Sequence, residues 1–295
     1  MNSFTISQLQ QYSGINVHSI RAWEKRYHAL KPGRSEGNTR YYDSHQLRRL
    51  LNIASLMHTE YKVSELCSFS DSRLYELMIS NLENLSVTDH DAFLISQLVA
   101  SALTFDELLF DKVFSRAVLR YGMVDTYVRV IYPVLLRLGI MWSADKIAPA
   151  QEHFISNLLR QKLDTSIDIL PVPQQSADKW LLFLPENEFH ENGLLMANYL
   201  VRSAGHPCIY LGANLPFDAL KAAVEATKPA CILLFLVSNK DEQHDRELIQ
   251  LMLKSFPTQK IFIAAKAGRL VKSSDHPKLT LLESMGALKK ALEIV

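Results

Sequence analysis

Glu188, His190 and Gly193 form a Glu-x-His-x-x-Gly group directly after the apolar run Trp180 to Leu184. A histidine on the loop leaving a strand is well placed to ligate a metal whose flat cofactor lies across the carboxyl edge of a sheet. A carboxylate two residues earlier can accept the other ring N–H, which fixes the tautomer and raises ligand basicity. A glycine three residues later lets backbone approach a ligand closely. A second group is Trp142, nine intervening residues, then Glu152 and His153. The third group is basic. Asn16, His18 and Ser19 open a segment that carries Arg21, Lys25 and Arg26, followed by Arg34, Asn38, Arg40 and Tyr41 in a turn-rich stretch. Such groups can reach phosphates and base edges.

The elements that must hold these residues fall into three regions. Ile6, Leu9 and Tyr12, then Gly14, predict a short helix and a tight turn, with a second helix over Val17 to Tyr27. Lys31 to Asn38 contains Pro32, Gly33 and Gly37, and Thr39 to Tyr42 predicts a short strand. Two helices around a glycine turn, then a wing, make a winged helix-turn-helix. From Ser44, Leu47, Leu50, Leu51, Ala54 and Leu56 predict another helix. Residues 75–170 read as a four-helix bundle, with apolar positions at three- and four-residue steps and a last helix over Ala148 to Ile169. Leu170 to Ala177, with Pro171 and Pro173, reads as a linker. Residues 178–295 alternate apolar runs with helical segments. The runs at Trp180 to Leu184, Cys208 to Leu211, Cys231 to Val237, Ile261 to Ala264 and Leu279 to Leu282 predict a doubly wound, five-stranded parallel sheet, flavodoxin-like. The expected domains are therefore 1–74, 75–170 and 178–295, an α and α/β multidomain chain.

Charge is distributed unevenly. The net charge of the 295 residues is +1, yet residues 1–70 hold nine Lys/Arg against five Asp/Glu, or +4, leaving 23 against 26, or −3, elsewhere. A positive module on a mildly acidic body suits a polyanion held at one end. Cys67, Cys208 and Cys231 lie far apart and read as small buried residues. The first residues lack signal-peptide character and no apolar stretch reaches the length of a bilayer span, so a cytoplasmic protein without membrane contact is expected. No GxGxxG, GxxxxGK, GxSxG or HExxH is present, and no enzymatic set is expected.

The stretch SIRAWEKRYHALKPGRSEGNTRYYDSHQLRRL, Ser19 to Leu50, closely resembles the start of MerR-family regulators. The resemblance implies DNA contact at Arg21, Arg26, Arg40 and Tyr41, packing roles for Trp23 and Tyr27, and a homodimer or homotetramer on a near-palindromic double-stranded operator. Leu66 to about Leu85 could supply the dimer contact. PENEFHENGLLMANYLVRSAGHPCIYLGANLP, Pro185 to Pro216, resembles the cobalamin-binding domains of methionine synthase and corrinoid proteins. A helical bundle with W-x9-EH precedes that domain in the light- and cobalamin-responsive MerR repressors of carotenoid genes, which have the same order of modules. This resemblance implies an adenosyl- or methylcobalamin cofactor with His190 as lower axial ligand of cobalt, Glu188 as its partner, and Trp142, Glu152 and His153 over the upper face.

Two departures bear on that expectation. Ser143 stands where the light-responsive relatives have a histidine, and a hydroxyl is a poor cobalt ligand, which argues against a bis-histidine photoproduct. The slot for the cobalamin tail normally carries a small serine and paired glycines, whereas here Leu234, Phe235, Ala264 and Ala265 occupy the ends of the third and fourth strands, ahead of Lys266. Added volume in a snug slot costs about 1–3 kcal/mol per misfit. Three readings follow: a repressor responding to cobalamin, a cofactor-independent regulator whose C-terminal module serves oligomerisation or partner binding, and a corrinoid methyl carrier, against which the DNA-reading end argues.

Overall fold

The computed structural model describes residues 3–13, 15–34, 38–57, 60–82, 87–143, 147–173, 178–237, 242–265 and 276–294. Gly14, the wing glycine Gly37, the linker end 174–177 and Lys266 lie outside them. The chain divides into two compact units, Met1–Ser156 and Asn157–Val295.

In the first unit, β1 (Ser3–Phe4), α1 (Ile6–Ser13), α2 (Val17–Tyr27), β2 (Gly33–Arg34) and β3 (Arg40–Asp43) come first. The central β3 pairs antiparallel with both other strands, Tyr42 opposite Phe4 and Tyr41 opposite Gly33. Local chemistry explains the helix starts. Thr5 and Gln8 form a reciprocal capping box, with Gln8 N–H donating to Thr5 Oγ1 at 3.3 Å and Thr5 N–H to Gln8 Oε1 at 2.7 Å. Asn16 caps α2, its Oδ1 accepting from Ser19 N–H at 2.8 Å. The helix ends at His28, whose φ of 51° is left-handed. Leu9, Ile20, Trp23, Tyr42, Leu47 and Leu50 are buried as the common core. Tyr27, expected in that core, is 36% exposed: it shares the face of Ile20 and Trp23 but closes the last turn of α2, where the chain leaves the helix at His28.

Next come α3 (Ser44–Leu56), α4 (Val63–Ser68) and α5 (Asp71–Leu82). Arg49 pins them. Its guanidinium donates to the carbonyls of Ala29 at 2.8 Å, Cys67 at 2.8 Å and Phe69 at 2.9 Å, and to Asp71 Oδ1 at 2.5 Å. The four-helix set is α6 (Val87–Thr104), α7 (Glu107–Thr126), α8 (Tyr132–Ser143) and α9 (Pro149–Asp168). Gly122, at φ +75°, kinks α7, and Tyr127–Ile131 winds as a π-helical turn in which Tyr132 N–H donates back to Tyr127. Pro133 follows and has no N–H to offer, so the ordinary four-residue spacing is interrupted there. The helix-turn-helix and the first helices of the bundle share a unit: buried Gln97 Nε2 donates to Asn52 Oδ1 at 3.2 Å, and Arg48 meets Asp106 at 2.9 Å. The unit boundary falls inside α9.

The second unit contains β4 (Trp180–Pro185), α10 (Glu191–Ser203), β5 (Cys208–Leu215), α11 (Phe217–Thr227), β6 (Cys231–Leu236), α12 (Glu242–Ser255), β7 (Lys260–Ala265), β8 (Leu279–Leu282) and α13 (Met285–Ile294). All five strands are parallel in the order β5-β4-β6-β7-β8, the doubly wound arrangement expected. β4 and β6 are buried along their whole length, which is why they read as unbroken apolar runs. One face of the sheet, with Phe183, Ile232, Leu234 and Ile263, packs on Leu220 of α11 and Met252 of α12. The strand order reverses between β4 and β6, so a crevice is expected beyond their carboxyl ends.

Candidate functional site

The basic surface of the first unit is built on α2 and the β2–β3 wing. His18, Arg21, Lys25 and Arg26 are exposed on α2, and Ser19 is half-buried at its start. Asn16 does not present its amide oxygen outward, since that oxygen caps the helix. On the wing, Arg34 Nη1 donates to Asn38 Oδ1, and Asn38 holds a left-handed φ of 59°. Tyr41 is exposed, its ring lying against Gly33, where a Cβ would fall 2.3 Å from Tyr41 Cζ. Arg40 turns toward α2, its Nε 3.3 Å from Glu24 Oε2, while the Tyr42 hydroxyl donates to the other oxygen of Glu24. Burial, then the Glu24 contact, raises the Tyr42 hydroxyl well above its ordinary range. Glu24 thereby ties wing to helix. Nothing in the sequence pattern singles it out, because the contact spans the turn between them.

In the second unit the loop from β4 to α10 carries Glu188 and His190. The Glu188 side chain is 2% exposed and that of His190 62%. His190 Nδ1 donates to Glu188 Oε1 at 2.5 Å, which puts the ring proton on Nδ1 and the lone pair on Nε2. The carboxylate is itself fixed by backbone donors: N–H of Phe189 at 3.1 Å and of His190 at 3.2 Å on Oε1, and N–H of Val237 at 3.1 Å on Oε2. Val237 follows β6, so one buried carboxylate spans the switch point between β4 and β6.

Two asparagines that sequence reasoning missed hold this loop. Asn187 and Asn214 are both left-handed, at φ 60° and 56°. Asn187 N–H donates to Asn214 Oδ1 at 2.8 Å, and Asn214 N–H to the Glu188 carbonyl at 3.2 Å. Asparagine tolerates this backbone region better than most residues, and that is the signal that could have found them. Glu191 was missed too. It accepts from Tyr210 Oη at 2.9 Å and from Arg160 Nη2, binding the first turn of α10 to β5 and α9.

The slot residues separate by face. Phe235 lies opposite Ala264 in the β6–β7 register, and its Cε1 is 3.0 Å from where a Cβ on Gly193 would be. Leu234 belongs to the opposite face with Phe183, and Ala265 packs against that same cluster. The two-residue pleat therefore removes Leu234 and Ala265 from any slot beside α10 and leaves Phe235 and Ala264. Gly193 was expected to open room for a ligand; the room is taken by the Phe235 ring.

Trp142 is exposed near the end of α8, which closes at Ser143. Glu152 and His153 lie early in α9, with His153 Nδ1 3.4 Å from Glu152 Oε2. These three belong to the first unit and the Glu188–His190 pair to the second. The cysteines are inert: burial pushes the thiols of Cys67 up to about 11 and of Cys208 and Cys231 up to about 12. Cys208 is half-buried rather than buried. Among the described residues no helix is long and apolar enough to cross a membrane.

Residues 4–66 match the MerR HTH family of regulatory proteins, and residues 94–165 match the B12 binding domain family. The HTH-type transcriptional repressor CarH of Myxococcus xanthus is 24% identical over 263 residues, 86% of each chain. The HTH-type transcriptional repressor CarA of the same organism is 27% identical over 245 residues, 79% of this chain and 76% of that one. The monomethylamine corrinoid protein of Methanosarcina barkeri covers 70% of this chain and 100% of its own at a TM-score of 0.55 and 13% identity, a likeness of fold.

Set against a B12 group, the donor set fits in one respect and fails in another. An imidazole with its Nδ1–H held by a buried, triply hydrogen-bonded carboxylate is a well-oriented nitrogen ligand. Beside it, the Phe235 ring packs against Gly193 and fills the space that the glycine leaves. Along the chain, a region that matches the MerR HTH family is thus followed by one that matches the B12 binding domain family, the order of a helix-turn-helix regulator joined to a B12-binding domain.

Proposed function

We propose that this protein is a double-stranded-DNA-binding transcriptional repressor whose grip on its operator responds to a corrinoid. Residues 1–74 serve as reader, 75–170 as helical cap and 178–295 as the α/β sensor. It works in the cytoplasm as a homodimer or homotetramer on a near-palindromic site, and it catalyses no reaction. The observation that carries this reading is a single chain that joins the basic α2–wing surface to a strand-end histidine tied to a buried carboxylate. The two curated relatives named as repressors support the direction of regulation.

Arg21, Lys25, Arg26, Arg34 and Arg40 neutralise phosphates, and each contributes affinity that falls with salt. His18 and Ser19 face base edges at the start of α2, Asn16 sets the angle of that helix, and Asn38 and Tyr41 shape the wing. In the sensor, His190 would hold the metal of a corrinoid through its ring nitrogen and Glu188 would orient that ring. A bound corrinoid would supply a cobalt ion and a labile adenosyl or methyl group. Any ligand shifts the DNA equilibrium only by its differential affinity for the two states.

The test is a titration of purified protein against duplexes from its own upstream region and against scrambled controls, at several salt concentrations, with and without a methylated corrinoid in the dark. The reading requires a salt-sensitive preference for one duplex and a corrinoid-dependent change that His190→Ala abolishes. Equal binding to all duplexes would sink the regulator. Sequence-selective binding without any corrinoid effect would favour the cofactor-independent alternative, to which the filled slot at Phe235 lends support.

A further inference from the structure

The place where Phe235 sits decides which corrinoid His190 can hold. Phe235 is two residues before Val237, whose N–H fixes Glu188, and its ring rests on Gly193, three residues after His190. It therefore lies directly inward of the Glu188–His190 pair, on the α10 face of the sheet. Whatever hangs from a macrocycle ligated through His190, and enters the fold beside that histidine, must pass between α10 and β6 at Gly193.

That passage is closed. A flat aromatic group sandwiched between two walls needs about 3.5 Å of van der Waals separation on each side. Here Phe235 Cε1 and Cδ1 are already 3.0 and 3.2 Å from a Gly193 Cβ position, and Phe235 is only 7% exposed. Chemistry points the same way as volume. A nucleotide brings a phosphodiester, a ribose and ring nitrogens, all of which need partners when buried. The residues that β6 turns toward that face are Leu233 and Phe235, both apolar.

On the reading that this unit senses a corrinoid, we infer that Phe235 makes it selective for a corrinoid without a nucleotide tail, of the cobinamide type, over complete cobalamin. His190 would hold a corrinoid that brings no base of its own. The nucleotide and base of complete cobalamin would need the space that the Phe235 ring fills.

Methylcobinamide and methylcobalamin, each dialysed in the dark against the full-length protein, separate the possibilities. Methylcobinamide should be retained with the change in visible spectrum that marks replacement of water by imidazole, and His190→Ala should lose that change. Methylcobalamin should bind at least about tenfold more weakly, and Phe235→Ser should narrow the gap. Equal affinity for the two, with methylcobalamin exchanging its own base for His190, overturns the inference and leaves the sensor reading intact. Retention of neither overturns both. If Phe235→Ser fails to fold, the ratio measured on the unaltered chain still decides.

Discussion

Glu188 shows how much one side chain can organise. It is buried, it accepts from three backbone N–H groups and an imidazole, and those groups come from both sides of the switch point. Glu188→Gln keeps the shape and removes the charge. Corrinoid affinity should fall by about 10- to 100-fold, as for other partners of ligating histidines, read by dialysis and absorbance. At the other end of the chain, Arg21→Ala should weaken binding to every duplex by about 1–2 kcal/mol and lower the salt slope by about one, read by fluorescence anisotropy across a salt series. A loss confined to one sequence would instead make Arg21 a base-reading residue. The Glu188–His190 spacing was legible in the sequence because ligand and partner are two residues apart. The Arg40–Glu24 pair was not, because it depends on the wing folding back over α2. Leu234 and Phe235 were equally suspect on paper, and only the strand register tells them apart.

Among the elements, the parallel strands were the most legible part of the fold: β4 and β6 are buried along their whole length and β7 over Ile261, Phe262 and Ile263, so they appear as apolar runs. α2 was legible over its whole length, Val17–Tyr27, because its basic and apolar positions alternate with helical period. β1, at two residues, is too short to leave a pattern. The kink at Gly122 and the π-helical turn that follows were hidden, since both keep a helix-like spacing of apolar residues. Gly122→Ala should cost about 1 kcal/mol or more through its left-handed φ of 75°, although no atom lies within 4 Å of the added methyl. Arg49→Leu should cost about 3 kcal/mol, because three carbonyls lose their guanidinium donor at once and Asp71 keeps only His45. Urea denaturation followed by circular dichroism measures both.

For the molecule as a whole, acid should be the sensitive direction. His90, buried in the first unit, has its Nδ1 2.8 Å from the Tyr121 hydroxyl, and Tyr121 lies under Arg129, which pairs with Asp91. Burial above all, then the positive charge of Arg120, depresses His90 to about 4 from its ordinary 6.5. The unfolded chain therefore takes up this proton first. The contribution of neutral His90 is complete above pH 6.5 and is lost as pH falls from there to about 4, on the order of 3 kcal/mol in all. Stability of His90→Asn should be flatter across that window in denaturation series at stepped pH; an unchanged slope would remove His90 as the cause.

Arg40 and Glu24 carry a last consequence for any encounter with duplex. A phosphate arriving at the wing finds its arginine already engaged by a rival anion from the same chain, so docking there is an exchange rather than an addition. Glu24→Gln would dissolve that rivalry, tightening adhesion to random duplex more than to the cognate site, and the ratio of the two affinities would shrink. On the proposed reading, Glu24 would then set part of the reader's fidelity through its hold on Arg40.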